Sequence, residues 1–222
     1  MINIEETYNE CIKYANQIKN DDLRKCCLEV LADHKEMLET RPATIDKHHH
    51  YYPGGLLFHS YCVTRNALGI AFWYPDNNID LDLIIFGGLL HDIGKCYEHT
   101  PFDENGEAYY NENYAALFTH CYTGTHTVSN YLDKYNLEIN FKNQALHMIG
   151  SHMNDFSDWG DITSAKMLEV VIINLGDAMD AKLEPAAPYI NNAQKGDLYK
   201  IINAPIEYYK SLNPSYEDSK KR

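Results

Sequence analysis

"LLHDIGK", residues 89–95, sets an imidazole and a carboxylate side by side at the end of an oily run. Successive residues on a helix point about 100° apart, so neighbours serve one site only where the helix is ending. Gly94 is expected to supply that ending, because glycine accepts the left-handed turn that closes a helix. Presenting His91 and Asp92 at a buried terminus is useful only if other elements bring partners to them. The periodicity of the flanking sequence therefore decides the fold.

That periodicity is helical on both sides. "HHHYYPGGLLFHSYCVTRNALGIAFWYP", residues 48–75, opens a helix at Pro53 and two glycines and stops it before Pro75. A second helix, about 80–93, carries the opening motif. Further helices are expected at about 113–135, 140–152, 163–183 and 195–211, with 96–112 a loop or small hairpin. Nearer the N-terminus, Ile4, Tyr8, Cys11, Ile12, Ala15 and Ile18 recur at spacings of three and four. After "NDD", a candidate cap, Leu23, Cys27, Val30, Leu31 and Leu38 repeat the pattern until "RPAT" breaks it. The expectation is an all-α fold: a helical arm over 1–40, a helical body over 41–190, and a last helix with a frayed tail over 191–222.

Composition narrows the function. The chain has 222 residues, enough for a substantial core, and a formal net charge of −13. Such charge repels polyanions at long range and weighs against coating nucleic acid or docking on an anionic membrane. No run reaches the ~18 apolar residues of a spanning helix, and "MINIEETYNE" shows no secretory signal. Cys11, Cys26, Cys27, Cys62, Cys96 and Cys121 form no CxxC pair, so reduced thiols in a cytoplasmic protein are expected. Cys96 and Cys121 read as core filler.

Eleven histidines are many, and their placement is informative. His59 lies in the first core helix, His91 and Asp92 end the second, His120 falls within the next, and His152 ends the fourth. Asp177 interrupts the apolar "VIINLGDAMDAK", where a carboxylate is costly unless paired or bound to a cation. Each alone has a bland reading as a satisfied core residue. Five helices each offering a ligand at an apolar position suggest a bundle that houses metals.

The ordered set His59, His91-Asp92, Asp177 resembles the H…HD…D signature of the HD-domain metal-dependent phosphohydrolases. "HHHYYPGGLLFH", "LLHDIGK", "FTH", "HMIGSH" and "GDAMDAK" follow in an order similar to the HD half of certain bacterial 3′-to-5′ exoribonucleases, over about residues 48–184. No counterpart of the OB-fold that those nucleases carry ahead of the HD domain is expected in these 222 residues. The resemblance implies two divalent transition-metal ions. His59, His91, Asp92 and Asp177 would hold one; Asp92, bridging, with His120 and His152 would hold the other. Nitrogen and oxygen ligands suit Fe, Mn, Zn, Co or Ni alike. The implied activity is hydrolysis of a phosphoester, in a nucleotide or short oligonucleotide, by a metal-activated hydroxide. Two rivals share the fold: a di-iron oxygenase with the same ligand set, and a non-catalytic nucleotide sensor.

Several other residues stand near these positions. Lys95 could meet a phosphate or leaving oxygen, as a catalytic partner of Asp92, or be an ordinary solvated lysine. His147 precedes His152 by five, about 140° around a helix, so it is a supporting residue if it takes part. His48–His50 could touch substrate, buttress the site or form a solvent-facing turn. Gly124 shares a face with His120 and could leave room near it; Asp180 shares the face of Asp177. His126 and Arg65 lie off those faces, and Tyr51, Tyr52, Tyr97, Tyr109, Tyr110 and Trp159 either stack a base or pack. The basic residues are scattered, so a small phosphorylated substrate is expected, with no extended nucleic-acid groove and no membrane partner.

Overall fold

A computed structural model describes residues 2–153, 160–186, 198–200 and 207–209 of the chain. Helix α1 (Ile4–Ala15) starts at Asn3 and α2 (Asp21–Asp33) at Asn20, each side chain accepting the amide of the residue three on. At His34 the second helix breaks into α3 (Lys35–Thr40). That imidazole is buried, with Nδ1 on the Val30 carbonyl and Nε2 on the Tyr97 hydroxyl, each at 2.8 Å.

The body is built on α4 (Gly55–Phe72), α5 (Leu81–Leu90), α9 (Ile139–Gly150) and α10 (Leu168–Leu183). Asp80 caps α5 by accepting from the amides of Asp82 and Leu83. Every residue of α5 from Leu83 to Leu90 is buried, as a helix apolar all round must be. It packs on α4 at one side and α9 at the other, and α10 lies across α4. Gly88 permits the first contact, since a Cβ there would stand 2.8 Å from the Thr64 Cα. The apolar faces of α1 and α2 join the same core: Cys11, Ala15, Leu23, Cys27 and Leu31 cluster with Leu57, Leu89 and Ile173. Cys96 and Cys121 are buried too, and no two of the cysteines form a disulfide among the described residues.

Three details differ from the sequence expectation. Gly94 has φ −61° and ψ −27°, so it does not close α5 with a left-handed turn. Its requirement is steric: a Cβ would fall 2.0 Å from the His120 carbonyl oxygen. The chain instead turns right-handed through residues 91–94 into the short α6 (Lys95–Glu98), and a small antiparallel contact, His99 with Tyr110, follows. The stretch 113–135 is two helices, α7 (Glu112–Ala115) and α8 (His120–Leu132), because Thr119 caps a new start by accepting from Tyr122. His120 therefore opens its helix and does not lie within it.

The last expected helix, 195–211, is not formed: β1 (Leu198–Lys200) pairs antiparallel with β2 (Glu207–Tyr209), Tyr199 opposite Tyr208. Pro205 lies inside the expected helix, and the β-branched and aromatic residues on either side of it (Tyr199, Ile201 and Ile202; Ile206, Tyr208 and Tyr209) favour extended pairing. Trp159 and the tail 213–222 fall outside the described residues. No helix among the described residues is long and apolar enough to cross a membrane.

Candidate metal centre

The turn after α5 brings the Asp92 carboxylate, 1% exposed, to the middle of four imidazoles. His59 comes from α4, His91 from the C-terminus of α5, His120 from the N-terminus of α8 and His152 from the end of α9. Each ring is held by its Nδ1. His59 donates to Asp180 Oδ2 at 2.7 Å, His91 to the Gly88 carbonyl at 3.0 Å and His152 to the Ile149 carbonyl at 2.7 Å. His120 Nδ1 faces Glu98 Oε2 at 3.4 Å. An acceptor at Nδ1 fixes the proton there and leaves Nε2 as the coordinating atom of the neutral ring.

All four Nε2 atoms converge on Asp92, two to each oxygen. Oδ2 is 3.4 Å from His59 and 3.5 Å from His91; Oδ1 is 3.4 Å from His120 and 3.5 Å from His152. Asp177, on α10, adds its Oδ1 at 3.2 Å from His59 Nε2. All six sequence candidates for metal are thus brought together. The groups His59–His91–Asp177 and His91–Asp92–His152 each offer three ligand atoms within 4.8 Å of one another.

Two buried atoms test whether a cation fits. Asp92 Oδ1 and His152 Nε2 have no hydrogen-bond partner among the described residues. An unsatisfied buried polar group costs about 1–3 kcal/mol, a penalty that a divalent ion between them would remove. The donor set fits a cation.

Charge is already concentrated there. Burial works against ionisation of Asp92, but Lys95, His91, His152 and His59 outweigh it and hold the carboxyl well below its usual range. Burial likewise opposes the charge on His59, yet bonds to Asp177, Asp180 and Asp92 raise it well above the usual imidazole value. His120 is raised to about 9 against its burial, by Cys121, Glu98 and Asp92. Without a cation, the acids around His59 and His120 favour the protonated rings.

Lys95 is no solvated lysine. Its side chain is 13% exposed, and Nζ donates to Asp92 Oδ2 at 2.7 Å. Asp180 supports His59 from behind and also accepts from His50 Nε2 at 2.8 Å. His50 pays for that reach with a left-handed backbone, φ 47°, in a turn whose Lys47 is left-handed too.

The remaining candidates lie elsewhere or do other work. His147 bonds Ser151 Oγ at 3.1 Å and accepts from the Lys166 amide at 3.0 Å, which fixes the segment beyond α9. Gly124 does not open space at the metal side; a Cβ there would stand 3.2 Å from the Gly94 amide nitrogen, so the two glycines let α6 and α8 touch. His126 stacks on Tyr122, and Arg65 lies over the Tyr61 ring. Tyr51 donates to Glu107, and the Tyr52 and Tyr97 hydroxyls bond His50 and His34. Only Tyr109 and Tyr110 of the tyrosine set are exposed. Glu98 escaped the sequence reading altogether, for nothing in "KCYEHT" marks it.

The family model of the HD domain matches residues 56–182. A second family model, TraI_2, described as a helicase, matches residues 3–74 and reaches only His59 among the residues around Asp92. A dihydroneopterin 2′,3′-cyclic phosphate phosphodiesterase of Methanocaldococcus jannaschii is 29% identical over 216 residues, covering 91% of this chain and 79% of its own. A 3′-5′ exoribonuclease YhaM of Listeria monocytogenes is 25% identical, over 97% of this chain and 66% of its own length. No solved structure matches the chain.

Proposed function

The chain belongs to the HD-domain family, and on that premise we propose that it is a metal-dependent phosphohydrolase acting on a phosphoester of a nucleotide-like molecule or short oligonucleotide. The observation that carries the reading is the Asp92 carboxylate, with one oxygen turned to His59 and His91 and the other to His120 and His152. A carboxylate so placed can be shared by two cations, as each imidazole cannot. His59, His91, Asp92 and Asp177 would hold one, and Asp92, His120 and His152 the other. Nitrogen and oxygen donors of this kind accept Fe, Mn, Zn, Co or Ni. When bound, such ions supply Lewis acidity toward phosphoryl oxygens and bring the ionisation of water near neutrality.

The protein's own residues do the rest. Asp180, Gly88, Ile149 and Glu98 hold the four rings in one tautomer and one orientation. Lys95, within reach of Asp92, offers an ammonium to an incoming phosphate or to the oxygen that leaves. Burial of the Asp92 neighbourhood keeps bulk water from screening these charges.

Similarity to a cyclic phosphate phosphodiesterase over most of both chains supports a small diester as substrate. So does the balance of 32 acidic against 19 basic side chains, which is poor for holding a long polyanion. The test is turnover of a 2′,3′-cyclic nucleotide, a dinucleotide and a long single-stranded RNA, with the protein stripped and reloaded with each candidate metal. Cleavage that disappears with chelator and favours the small esters is expected. A fully metal-loaded protein that cleaves no phosphoester overturns the reading.

A further inference from the structure

His49 is a buried histidine that no described residue satisfies. It is 8% exposed, and neither Nδ1 nor Nε2 has a hydrogen-bond partner. The contrast with its surroundings is sharp. Thr44 Oγ1 donates to the His49 carbonyl at 3.2 Å, and the Ala43 amide to the His50 carbonyl at 3.3 Å. The His50 amide donates to Glu184 Oε2 at 3.2 Å, and the His50 ring is used at both nitrogens, by Tyr52 and Asp180. The turn is strained at Lys47 and His50, both left-handed, yet it is clamped on every side. A backbone held that firmly around an unpaired ring serves the ring.

The ring lies against the metal centre. Its centroid is 5.0 Å from that of His59, and Lys95 and Asp177 act on it electrostatically. Histidine rings then run on from His59 to His91 at 5.2 Å and from His91 to His152 at 5.0 Å. His49 thus lies on the His59 side of the centre, within the field of the Lys95 ammonium. It does not share the arrangement of the other four: among the described residues, none of the groups able to hold a cation includes it.

We propose that His49 is a substrate-positioning residue whose ring N–H donates a hydrogen bond to a non-bridging phosphoryl oxygen. A buried ring N–H without a partner among the described residues, in the field of the Lys95 ammonium, suits an anionic oxygen. The inference rests on the phosphoester reading and deepens it: the substrate presents a phosphoryl oxygen on the His59 side of the centre.

The experiment is binding of inorganic phosphate, measured by calorimetry on metal-loaded protein of known metal content. His49→Phe keeps a ring and removes both nitrogens; His49→Leu repeats the measurement with a smaller apolar side chain. His49→Gln keeps a donor. A hydrogen bond to a charged oxygen corresponds to a loss of about ten- to a hundredfold in phosphate affinity for Phe and Leu, with metal content unchanged and much of the affinity kept by Gln. The same ratio should appear in kcat/KM for a cyclic nucleotide. Unchanged phosphate affinity in His49→Phe and His49→Leu overturns the assignment. Loss of metal in all three variants overturns it as well, since the ring would then serve the cations. Wild-type protein that holds its metals and binds no phosphate overturns the phosphoester reading along with it, which separates the two failures.

Discussion

Replacing Asp92 should cost the protein more than any other single change at the centre, in two ways that can be measured apart. The carboxylate is buried, with Oδ2 receiving the Lys95 ammonium at 2.7 Å and the two oxygens facing four imidazoles at 3.4–3.5 Å. In metal-free protein, Asp92→Ala leaves the Lys95 cation, 13% exposed, without its anion. Removing one partner of a buried pair costs about 3–5 kcal/mol, a large share of the 5–15 kcal/mol typical of a whole domain. Asp92→Asn keeps the volume and one acceptor and should lose less. Denaturant unfolding in chelator gives that number. In metal-loaded protein the same residue should be indispensable to both ions, so metal per chain falls to near zero in Asp92→Ala. His120→Ala touches only the Oδ1 side and should keep the ion held by His59, His91 and Asp177. Elemental analysis of purified variants decides. Equal metal content in Asp92→Ala and His120→Ala would refute the bridging role.

Protonation provides a second handle. His120, raised to about 9, and His59, also raised, gain stability from their protons when no metal is bound. That contribution is complete below the unfolded value of about 6.5 and is lost as pH rises through about 9. The Tm in chelator should therefore fall over that window, and the rise in Tm on adding metal should grow; a metal-induced shift equal at both ends of the window would show that these rings do not exchange protons for metal. Glu98→Gln weakens only the hold on His120, so affinity for one of two ions should drop about tenfold in chelator competition, while Asp180→Asn should affect the ion on the His59 side instead. Loss of the same ion in both variants would contradict the assignment. Gly94→Ala forces α6 away from the His120 carbonyl, 2.0 Å from the added Cβ, and should cost about 1–3 kcal/mol by urea unfolding, with loss of the His120-side ion.

The helical body was readable because its signals are strong and mutually consistent. Pro53 with two glycines starts α4 and Pro75 follows its end, while α5 is apolar on every face and so must be central. Expectation failed where a local rule competed with a tertiary one. Gly94 looks like a helix-ending glycine, but its conformation is ordinary and its necessity comes from the distant His120 carbonyl. Thr119 had the chemistry of a cap, yet the apolar residues around it suggested one continuous helix through 113–135. At 195–211 Pro205 opposes the expected helix, because proline removes an amide donor and clashes with the preceding turn.

The centre itself divides in the same way. A histidine or aspartate set among aliphatic residues announces itself, because burying it needs a reason; His59, His91, His152 and Asp177 all stand in such runs. Asp180 was visible one turn after Asp177 on the same helix. Glu98 was not visible in its role, and His49 was one of three adjacent histidines, His48–His50, whose pattern left substrate contact, buttress and solvent-facing turn equally open. Glu98 reaches His120 only because α6 is turned onto α8 by the paired glycines Gly94 and Gly124. His49 reaches the His59 side only because the 47–50 turn adopts two left-handed residues that are not glycine. Ligands are constrained by what they must be, and their surroundings leave a trace in composition. The residues that aim them are constrained by where the chain happens to bring them, and almost any polar side chain in a loop could be one. Sequence therefore exposes the atoms that would bind metal before it exposes those that hold them in place or meet the substrate, and mutational scanning of the 47–50 turn and of α6 is where new functional residues are to be found.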